Sequence, residues 1–316
     1  MAHPLALALH GGAGTILKEQ MTAELEAAYH QSLQTALQAG WQALMAGLPA
    51  VEVVALVVEH LENDPLYNAG RGSVFTHQGL HEMDAAIMCG HTLAAGACAG
   101  VQQVQNPVRL AQAIMNNSEH VMLAGQGAQQ FALEQGLPLQ PNSYFYTPFR
   151  HSQWQHVRDT GHYALDHNLN GIDALMHNKK FGTVGAVALD ANGHIAAATS
   201  TGGMTNKQYN RIGDSPIIGS GCYANNKTCA ISSTGHGEIF IKAVAAYDVS
   251  CLMEYAGLSL QQAMEKVVMD KLVRMQGEGG MIGLDAKGQI GMVFNSAGMY
   301  RAARNSQGVD VIGIYG

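Results

Sequence analysis

The sequence predicts a layered α+β fold in which helices cover a largely antiparallel sheet, and three observations carry that expectation. Two hairpin signatures stand in the second half of the chain: the apolar strands Thr183 to Leu189 and His194 to Ser200 flank Asp190-Ala191-Asn192-Gly193, and Met281 to Leu284 and Gln289 to Phe294 flank Asp285-Ala286-Lys287-Gly288. Helical periodicity is segregated into its own stretches instead of alternating with every strand. The 316 residues are 47% hydrophobic and only 13% charged, so the chain can bury a sizeable core.

The elements follow in order. Leu5 to Leu9 reads as a short buried strand running into His10-Gly11-Gly12-Ala13-Gly14, a tight strand-to-helix turn. A long helix is expected from about Thr22 to Ala46, with Thr22 as cap, Glu24 and Glu26 in the first turn, and Leu25, Tyr29, Leu33, Leu37, Trp41 and Leu44 at helical spacing. Pro49 opens a second helix, about Ala50 to Leu61. Short strands broken by glycines are expected between Ser73 and Val104. Helices follow from Asn106-Pro107 to Asn117 and between Gln126 and Gln135. The stretch Gly136 to Gly182 is rich first in proline and then, from His151 to Lys180, in histidine and other polar residues without a steady period. It reads as a linker. Two further helices are expected between the hairpins, about Gly237 to Leu252 and Ser259 to Met275.

Charge and cysteine usage exclude several classes of function. The net charge of -7 is spread along the chain, and no Lys/Arg run offers a phosphate track, which argues against nucleic acid. No apolar run has the length of a membrane span. Met1 to Leu9 lacks a basic segment followed by a long apolar stretch, so no secretory signal is read. Cys89, Cys98, Cys222, Cys229 and Cys251 are odd in number and include no C-x-x-C pair. Thiols in a reducing cytoplasm are expected rather than a disulfide scaffold or a zinc site.

The chemistry concentrates after the linker. A two- or three-residue loop in the first hairpin places Thr183 opposite Thr201 or Gly202, so that two threonines meet at its open end. Arg211-Ile212-Gly213-Asp214 follows within ten residues of Thr201, and Thr234-Gly235-His236-Gly237-Glu238 joins the strand Cys229 to Ser233 to a helix. Backbone N–H groups at such a junction favour negative charge. Each feature also has a plainer reading. Thr183 and Thr201 suit strands as β-branched residues. Arg211 and Asp214 could form a surface ion pair at i, i+3, Thr234 could cap a helix, and Asn68 could be a turn residue. His10-Gly11-Gly12-Ala13-Gly14 lacks the spacing and the lysine of a phosphate loop. His77 and His81 read as a solvated loop pair, and Glu82 and Asp84 as structural hydrogen-bond partners near the site.

Taken together, these motifs resemble one family. Gly182-Thr183-Val184-Gly185-Ala186-Val187 looks like the processing site of plant-type L-asparaginases that also act as isoaspartyl peptidases, members of the N-terminal-nucleophile hydrolases. His10-Gly11-Gly12-Ala13-Gly14, Tyr67-Asn68-Ala69-Gly70, Thr199-Ser200-Thr201-Gly202-Gly203, Arg211-Ile212-Gly213-Asp214-Ser215-Pro216 and the Thr234-to-Glu238 cluster agree with it in the same order. The resemblance implies a four-layer αββα sandwich of two stacked, largely antiparallel sheets between helical layers. It implies self-cleavage between Gly182 and Thr183, giving an α chain of residues 1–182 that ends in the flexible linker 151–182 and a β chain of residues 183–316. Thr183 is then the nucleophile, with its own α-amine as base.

By the same resemblance, Thr201 supports the nucleophile, Asn68 orients the amine region, and Thr234 with the Gly235 N–H forms the oxyanion hole. Arg211 clamps the substrate α-carboxylate and Asp214 the α-ammonium. Ile212, Gly213, His236 and Gly237 complete the substrate pocket. The backbone carbonyls of Leu61, Glu62, Asp64, Tyr67, Ala69 and Arg71 would bind a structural sodium ion, with no cofactor needed for catalysis. A dimer of processed protomers acting on asparagine and β-aspartyl dipeptides is expected.

Two residues depart from the pattern. Asn210 stands where glycine is expected before Arg211, which bears on the placing of the Arg211 loop, and His236 occupies a variable place. Competing readings are a glycosylasparaginase, a taspase-like endopeptidase and a non-catalytic amino-acid-binding relative.

Overall fold

The computed structural model describes residues 3–160 and 180–316. The chain opens with β1 (Ala6–Gly14), then α1 (Ala23–Met45) and α2 (Ala50–Asn63). The Thr22 hydroxyl caps α1 by accepting the Leu25 N–H at 3.2 Å, and Tyr29, Leu33, Leu37 and Leu44 form its buried stripe. Next come β2 (Met83–Cys89), β3 (Ala95–Val101), α3 (Pro107–Asn117), β4 (Met122–Ala124), α4 (Gly125–Glu134) and α5 (Pro148–Thr160). The short β5 (Lys180–Phe181) precedes the hairpin β6 (Val184–Leu189) and β7 (Ile195–Thr201). A long loop leads to β8 (Cys222–Ala224) and β9 (Cys229–Gly235), followed by α6 (Gly237–Ala243), α7 (Ala245–Ala256) and α8 (Leu260–Glu265), which runs on as a π-helical stretch, Lys266–Leu272. The strands β10 (Gly279–Asp285), β11 (Ile290–Phe294), β12 (Gly298–Asn305) and β13 (Asp310–Tyr315) close the chain.

The strands form two sheets. The larger runs β13-β12-β1-β6-β7-β2-β3-β4, with β5 paired to the end of β1, and the smaller runs β11-β10-β9-β8. Every pairing between these strands is antiparallel except that of β3 with β4, as the hairpin signatures predict. Three apolar layers follow from this stacking. Leu33, Leu37, Val54 and Val58 lie between the helices α1 to α3 and the large sheet. Val187, Ala197, Ile282 and Leu284 fill the space between the two sheets. Phe240, Val249, Met264 and Leu272 lie between the small sheet and α6 to α8. The result is an αββα sandwich of the α+β class.

Three expectations are corrected. His10-Gly11-Gly12-Ala13-Gly14 is no turn: β1 continues through it, and a bulge between His10 and Gly12 bends the strand without ending it. The helix expected over Gly237 to Leu252 breaks at Val244, which takes a left-handed conformation at φ 50° between α6 and α7. Residues 151–160 of the expected linker belong to α5. Its own sequence has no steady period, and distant partners hold it: Trp154 stacks on Phe75 at 5.5 Å between centroids, and the buried Arg150 donates through Nε to the Gly72 carbonyl at 3.0 Å. Residues 161–179 lie outside the described residues.

Candidate active site

The β6–β7 hairpin sets the geometry. Leu189 pairs with Ile195 and Val184 with Ser200, so the register carries Thr183 to a position opposite Thr201. Asp190 fixes the turn by accepting from the Asn192 and His194 N–H groups through Oδ1 and from the Ala50 N–H through Oδ2. Thr183 is 6% exposed, and its Oγ1 donates to Thr201 Oγ1 at 3.3 Å. Ser215 Oγ, from the loop after β7, lies 3.4 Å away on another side. Thr201 Oγ1 also accepts the Gly203 N–H at 3.0 Å.

Beneath this pair runs a buried polar chain. His10 Nε2 meets Ser232 Oγ at 2.9 Å, Ser232 meets Thr199 Oγ1 at 2.7 Å, and Thr199 donates to the Gly221 carbonyl at 3.1 Å. Burial pushes His10 down to about 3, against an opposing contribution from the Thr183 backbone, so its ring is neutral across the working pH range.

Gly182 precedes Thr183 where a side chain has no room, because a Cβ there would overlap Asn68 Cβ and crowd the Asn68 backbone. The Asn68 side chain is held by donating Nδ2–H to the Gly203 carbonyl at 2.7 Å and accepting the Val74 N–H at 3.0 Å. In the continuous chain Asn68 thus walls the Gly182 peptide through its carbon atoms, and its amide serves the 203 and 74 loops.

The third wall comes from the second sheet. Thr234 is fully buried at the end of β9, and its Oγ1 accepts the Ala13 N–H at 3.2 Å, which leaves its own proton to donate elsewhere. Gly235 and His236 lead directly into α6.

Arg211 and Asp214, the expected head-group residues, sit beside this wall. Arg211 and Asp214 do not pair with each other. Arg211 donates Nε–H and Nη2–H to the two carboxylate oxygens of Glu238, each at 2.8 Å, in a bidentate fork. Burial alone would raise the Glu238 carboxyl, but the Arg211 guanidinium outweighs it and holds Glu238 below its usual range. His236 Nε2 lies 3.7 Å from the same carboxylate. Asp214 is 3% exposed, and its Oδ2 has no hydrogen-bond partner. Burial pushes its carboxyl up to about 7 despite the opposing field of Arg211. Such a group is incomplete: a buried carboxylate oxygen with nothing to accept from invites a cation.

Gly237 and Gly213 keep the approach open. A Cβ on Gly237 would sit 2.8 Å from Arg211 Nη2 and 3.1 Å from Asp214 Oδ1, and one on Gly213 2.8 Å from Arg211 Nη1. Ile212, the other expected pocket residue, is 36% exposed. Asn210 replaces the expected glycine without losing its backbone shape. Tyr209 and Asn210 take φ 58° and 56°, and the Arg211 N–H closes the turn on the Gln208 carbonyl. Asparagine tolerates that region better than most residues. Its Nδ2–H also donates to Glu82 Oε1 at 3.0 Å.

The structure therefore brings together Thr183, Thr201 and Ser215, and separately Arg211, Asp214, Gly213, Gly237 and Glu238. Ser215 and Glu238 had been named only as members of motifs, and no role was read for either. Glu82 and Asp84 do serve structural bonds, as expected. His81 departs from the expected solvated pair: it is buried, bonds through Nδ1 to the Ser73 carbonyl at 3.0 Å, and is lowered to about 4 by that burial.

In the loop after α2, the Leu61, Asp64 and Ala69 carbonyls accept from the N–H groups of Asp64, Tyr67 and Gly72. The Glu62 and Tyr67 carbonyls face Gly70 and Gly72, where a Cβ would overlap them. Three of the expected carbonyls thus already accept a backbone N–H, and two others lie against glycine backbone. Among the described residues, no cluster of His, Cys, Asp and Glu side chains could hold a metal.

The sequence profile of a family described as Asparaginase matches residues 3–314. The chain belongs to this asparaginase family. An isoaspartyl peptidase of Salmonella typhimurium is 50% identical over 98% of both chains, and one of Escherichia coli is 48% identical over 98% of this chain and 95% of that one. A human protein named isoaspartyl peptidase/L-asparaginase is 37% identical over 95% of this chain and 93% of its own. The asparaginase family and the αββα sandwich thus agree with the resemblance read from the motifs.

Proposed function

We propose that this chain is a self-processing threonine amidohydrolase that converts L-asparagine to L-aspartate and ammonia and removes β-aspartyl residues from dipeptides. One observation carries the reading: the Thr183 hydroxyl, seated against Thr201 and Ser215, follows directly on a glycine peptide confined by Asn68. The names of its relatives, which mention isoaspartyl peptidase and asparaginase activity, support the choice of substrate.

In processing, Thr183 Oγ1 attacks the Gly182 carbonyl carbon and its proton passes to the Thr183 nitrogen. The peptide becomes an ester, which water splits into residues 1–182 and 183–316. In turnover, the freed α-amine, with an ordinary pKa near ~8, takes the hydroxyl proton, a task no peptide nitrogen can perform. Oγ1 then attacks the side-chain carbonyl of asparagine. The oxyanion is held by the Thr234 hydroxyl, whose oxygen is already occupied by Ala13 N–H, and by the Gly235 N–H. The leaving nitrogen takes the proton from the amine and departs as ammonia or as the amine of the released residue. Water then hydrolyses the β-aspartyl ester.

Arg211 receives the substrate α-carboxylate through the end of its guanidinium that Glu238 leaves open. Asp214 Oδ2 receives the α-ammonium that supplies its missing partner. The loop after α2 is assigned a sodium ion, which would hold the carbonyls of that loop behind Asn68. The mature protein is assigned as a cytoplasmic dimer of processed protomers; the described cysteines, all free, suit that compartment.

The test begins with a denaturing gel of the purified chain and sequencing of the shorter fragment, which should begin at Thr183 and fail to appear in Thr183→Ala. Hydrolysis of asparagine, a β-aspartyl dipeptide and a glycosylated asparagine is then compared. Preference for the glycosylated substrate would favour the glycosylasparaginase reading, and tight aspartate binding without turnover the non-catalytic one.

A further inference from the structure

Behind the Arg211 loop lies a buried group of charges that the mechanism does not use. Lys207 is 2% exposed, and its ammonium donates to the Glu82 carbonyl at 2.8 Å and lies 4.0 Å from Glu82 Oε2. Glu82 Oε1 accepts from Asn210 Nδ2 at 3.0 Å and from Gln102 Nε2 at 3.4 Å. Asp84 is fully buried and faces Thr201 across the β2–β7 ladder. Its Oδ1 accepts the Gly100 N–H at 2.7 Å, and its Oδ2 has no hydrogen-bond partner. The two carboxylates and the one ammonium thus sit under a loop whose next charged residue is Arg211.

Fields between these groups reach Arg211. Burial pushes the Asp84 carboxyl up and the Lys207 ammonium down, and each group opposes the other's shift. Arg211 lowers both, by attraction to Asp84 and by repulsion of Lys207. The loop itself is pinned beside Lys207. His77 N–H donates to the Lys207 carbonyl, Asn206 N–H donates to the Phe75 carbonyl, and Asn210 is tied to Glu82.

We infer that Lys207 is a positioning residue for substrate capture: its buried ammonium offsets Glu82 and Asp84, so that Arg211 stays turned towards Glu238 and the substrate carboxylate instead of towards the carboxylates behind its own loop. Arg211 is bonded to Glu238, and its field acts on Asp214 and Asp84 as well. The substrate must compete for it as a fourth anion. Without Lys207 the Glu82 carboxylate, 4.0 Å from that ammonium, loses its cationic partner in a dry environment, where charges act strongly. That charge draws the guanidinium away from the head-group site. Thr201 stands opposite Asp84 across the β2–β7 ladder, so kcat is read beside KM. This inference rests on the reading of Arg211 as the carboxylate clamp.

The experiment compares steady-state hydrolysis of asparagine by the processed forms of the parent, Lys207→Met, Lys207→Met/Glu82→Gln and Arg211→Gln, with cleavage checked on a gel. Lys207→Met is expected to raise KM about tenfold or more, the factor that ~1.4 kcal/mol carries, with kcat at saturation within about threefold of the parent. The double variant removes one anion with the cation and is expected to bring KM back to within about threefold of the parent. An unchanged KM in Lys207→Met overturns the inference. An equally raised KM in single and double variants overturns it too, since the lost Lys207–Glu82 carbonyl bond would then explain the effect. If Lys207→Met does not fold, Lys207→Gln takes its place under the same limits. An unchanged KM in Arg211→Gln instead fails the clamp reading, and the inference falls with it. A raised KM there beside an unchanged one in Lys207→Met fails this inference alone.

Discussion

Asp214→Asn should lose activity and gain stability at the same time. The Asp214 carboxyl is buried, has one oxygen without a partner, and is raised from its ordinary 3.8 to about 7 by burial. That rise, at ~1.4 kcal/mol per tenfold in the ionisation equilibrium, is on the order of 4 kcal/mol of ionisation cost in the folded protein. The sign follows from the raised value. The cost is absent below the unfolded pKa, grows as pH rises through the interval, and is complete above about 7. Asparagine has nearly the same shape and no charge, but its amide is left with an unsatisfied donor at a cost of ~1–3 kcal/mol. The net expectation is a gain of about 1–3 kcal/mol at pH 8, read as a melting temperature a few degrees higher, and no gain near pH 4. Activity goes the other way. Removing the carboxylate from a buried ammonium partner costs ~2–5 kcal/mol, so kcat/KM for asparagine should fall about 30-fold or more. Calorimetric melts at pH 4 and pH 8, with kinetics on the same preparations, read both. A lower melting temperature at pH 8, or kcat/KM within about threefold of the parent, would refute the assignment of Asp214 as an ammonium site kept at a cost to the fold.

The same ionisation governs pH dependence: KM for asparagine should rise as pH falls below about 7, where Asp214 takes up its proton, and this rise should vanish in Asp214→Asn. Glu62 is fully buried and raised to about 8 by burial, although it accepts from Ser200 Oγ at 2.6 Å and Val108 N–H at 2.9 Å. The parent should therefore lose stability from pH 4.5 to about 8, and Glu62→Gln should flatten that loss in melts taken across the range. Gly182→Ala places a Cβ into Asn68, an overlap that costs ~1–3 kcal/mol in a packed site. Self-cleavage followed on gels should slow at least about fivefold, and an unchanged rate would remove Asn68 as the wall of that peptide.

Much of the site's frame was legible because it rests on local chemistry. The facing of Thr183 and Thr201 follows from the period of two in a strand and a turn held by Asp190, both visible in the hairpin sequence. Thr22 as cap and Pro107 as a helix start are likewise local signals. What escaped depends on partners far along the chain. The helix α5 is anchored by Phe75 and Gly72, more than seventy residues earlier, so its own pattern is too weak to announce it. Ser215 reaches Thr183 only because the loop after β7 folds back over the hairpin. Arg211 pairs with Glu238, 27 residues on, and not with Asp214, three residues away, a choice that sequence spacing does not reveal. The burial of Lys207 in a loop of polar residues leaves no periodic trace at all.

The order of strands in the large sheet bears on when the chain can be cut. Moving across it, β13 and β12 come from after position 182, β1 from before, β6 and β7 from after, and β2, β3 and β4 from before. Neither product of scission owns the large sheet unbroken: residues 1–182 would keep β1 with only the short β5 beside it, and residues 183–316 would be missing the strand that joins β12 to β6. In the proposed processing, assembly comes before scission, because each piece lacks strands of the large sheet that the other supplies.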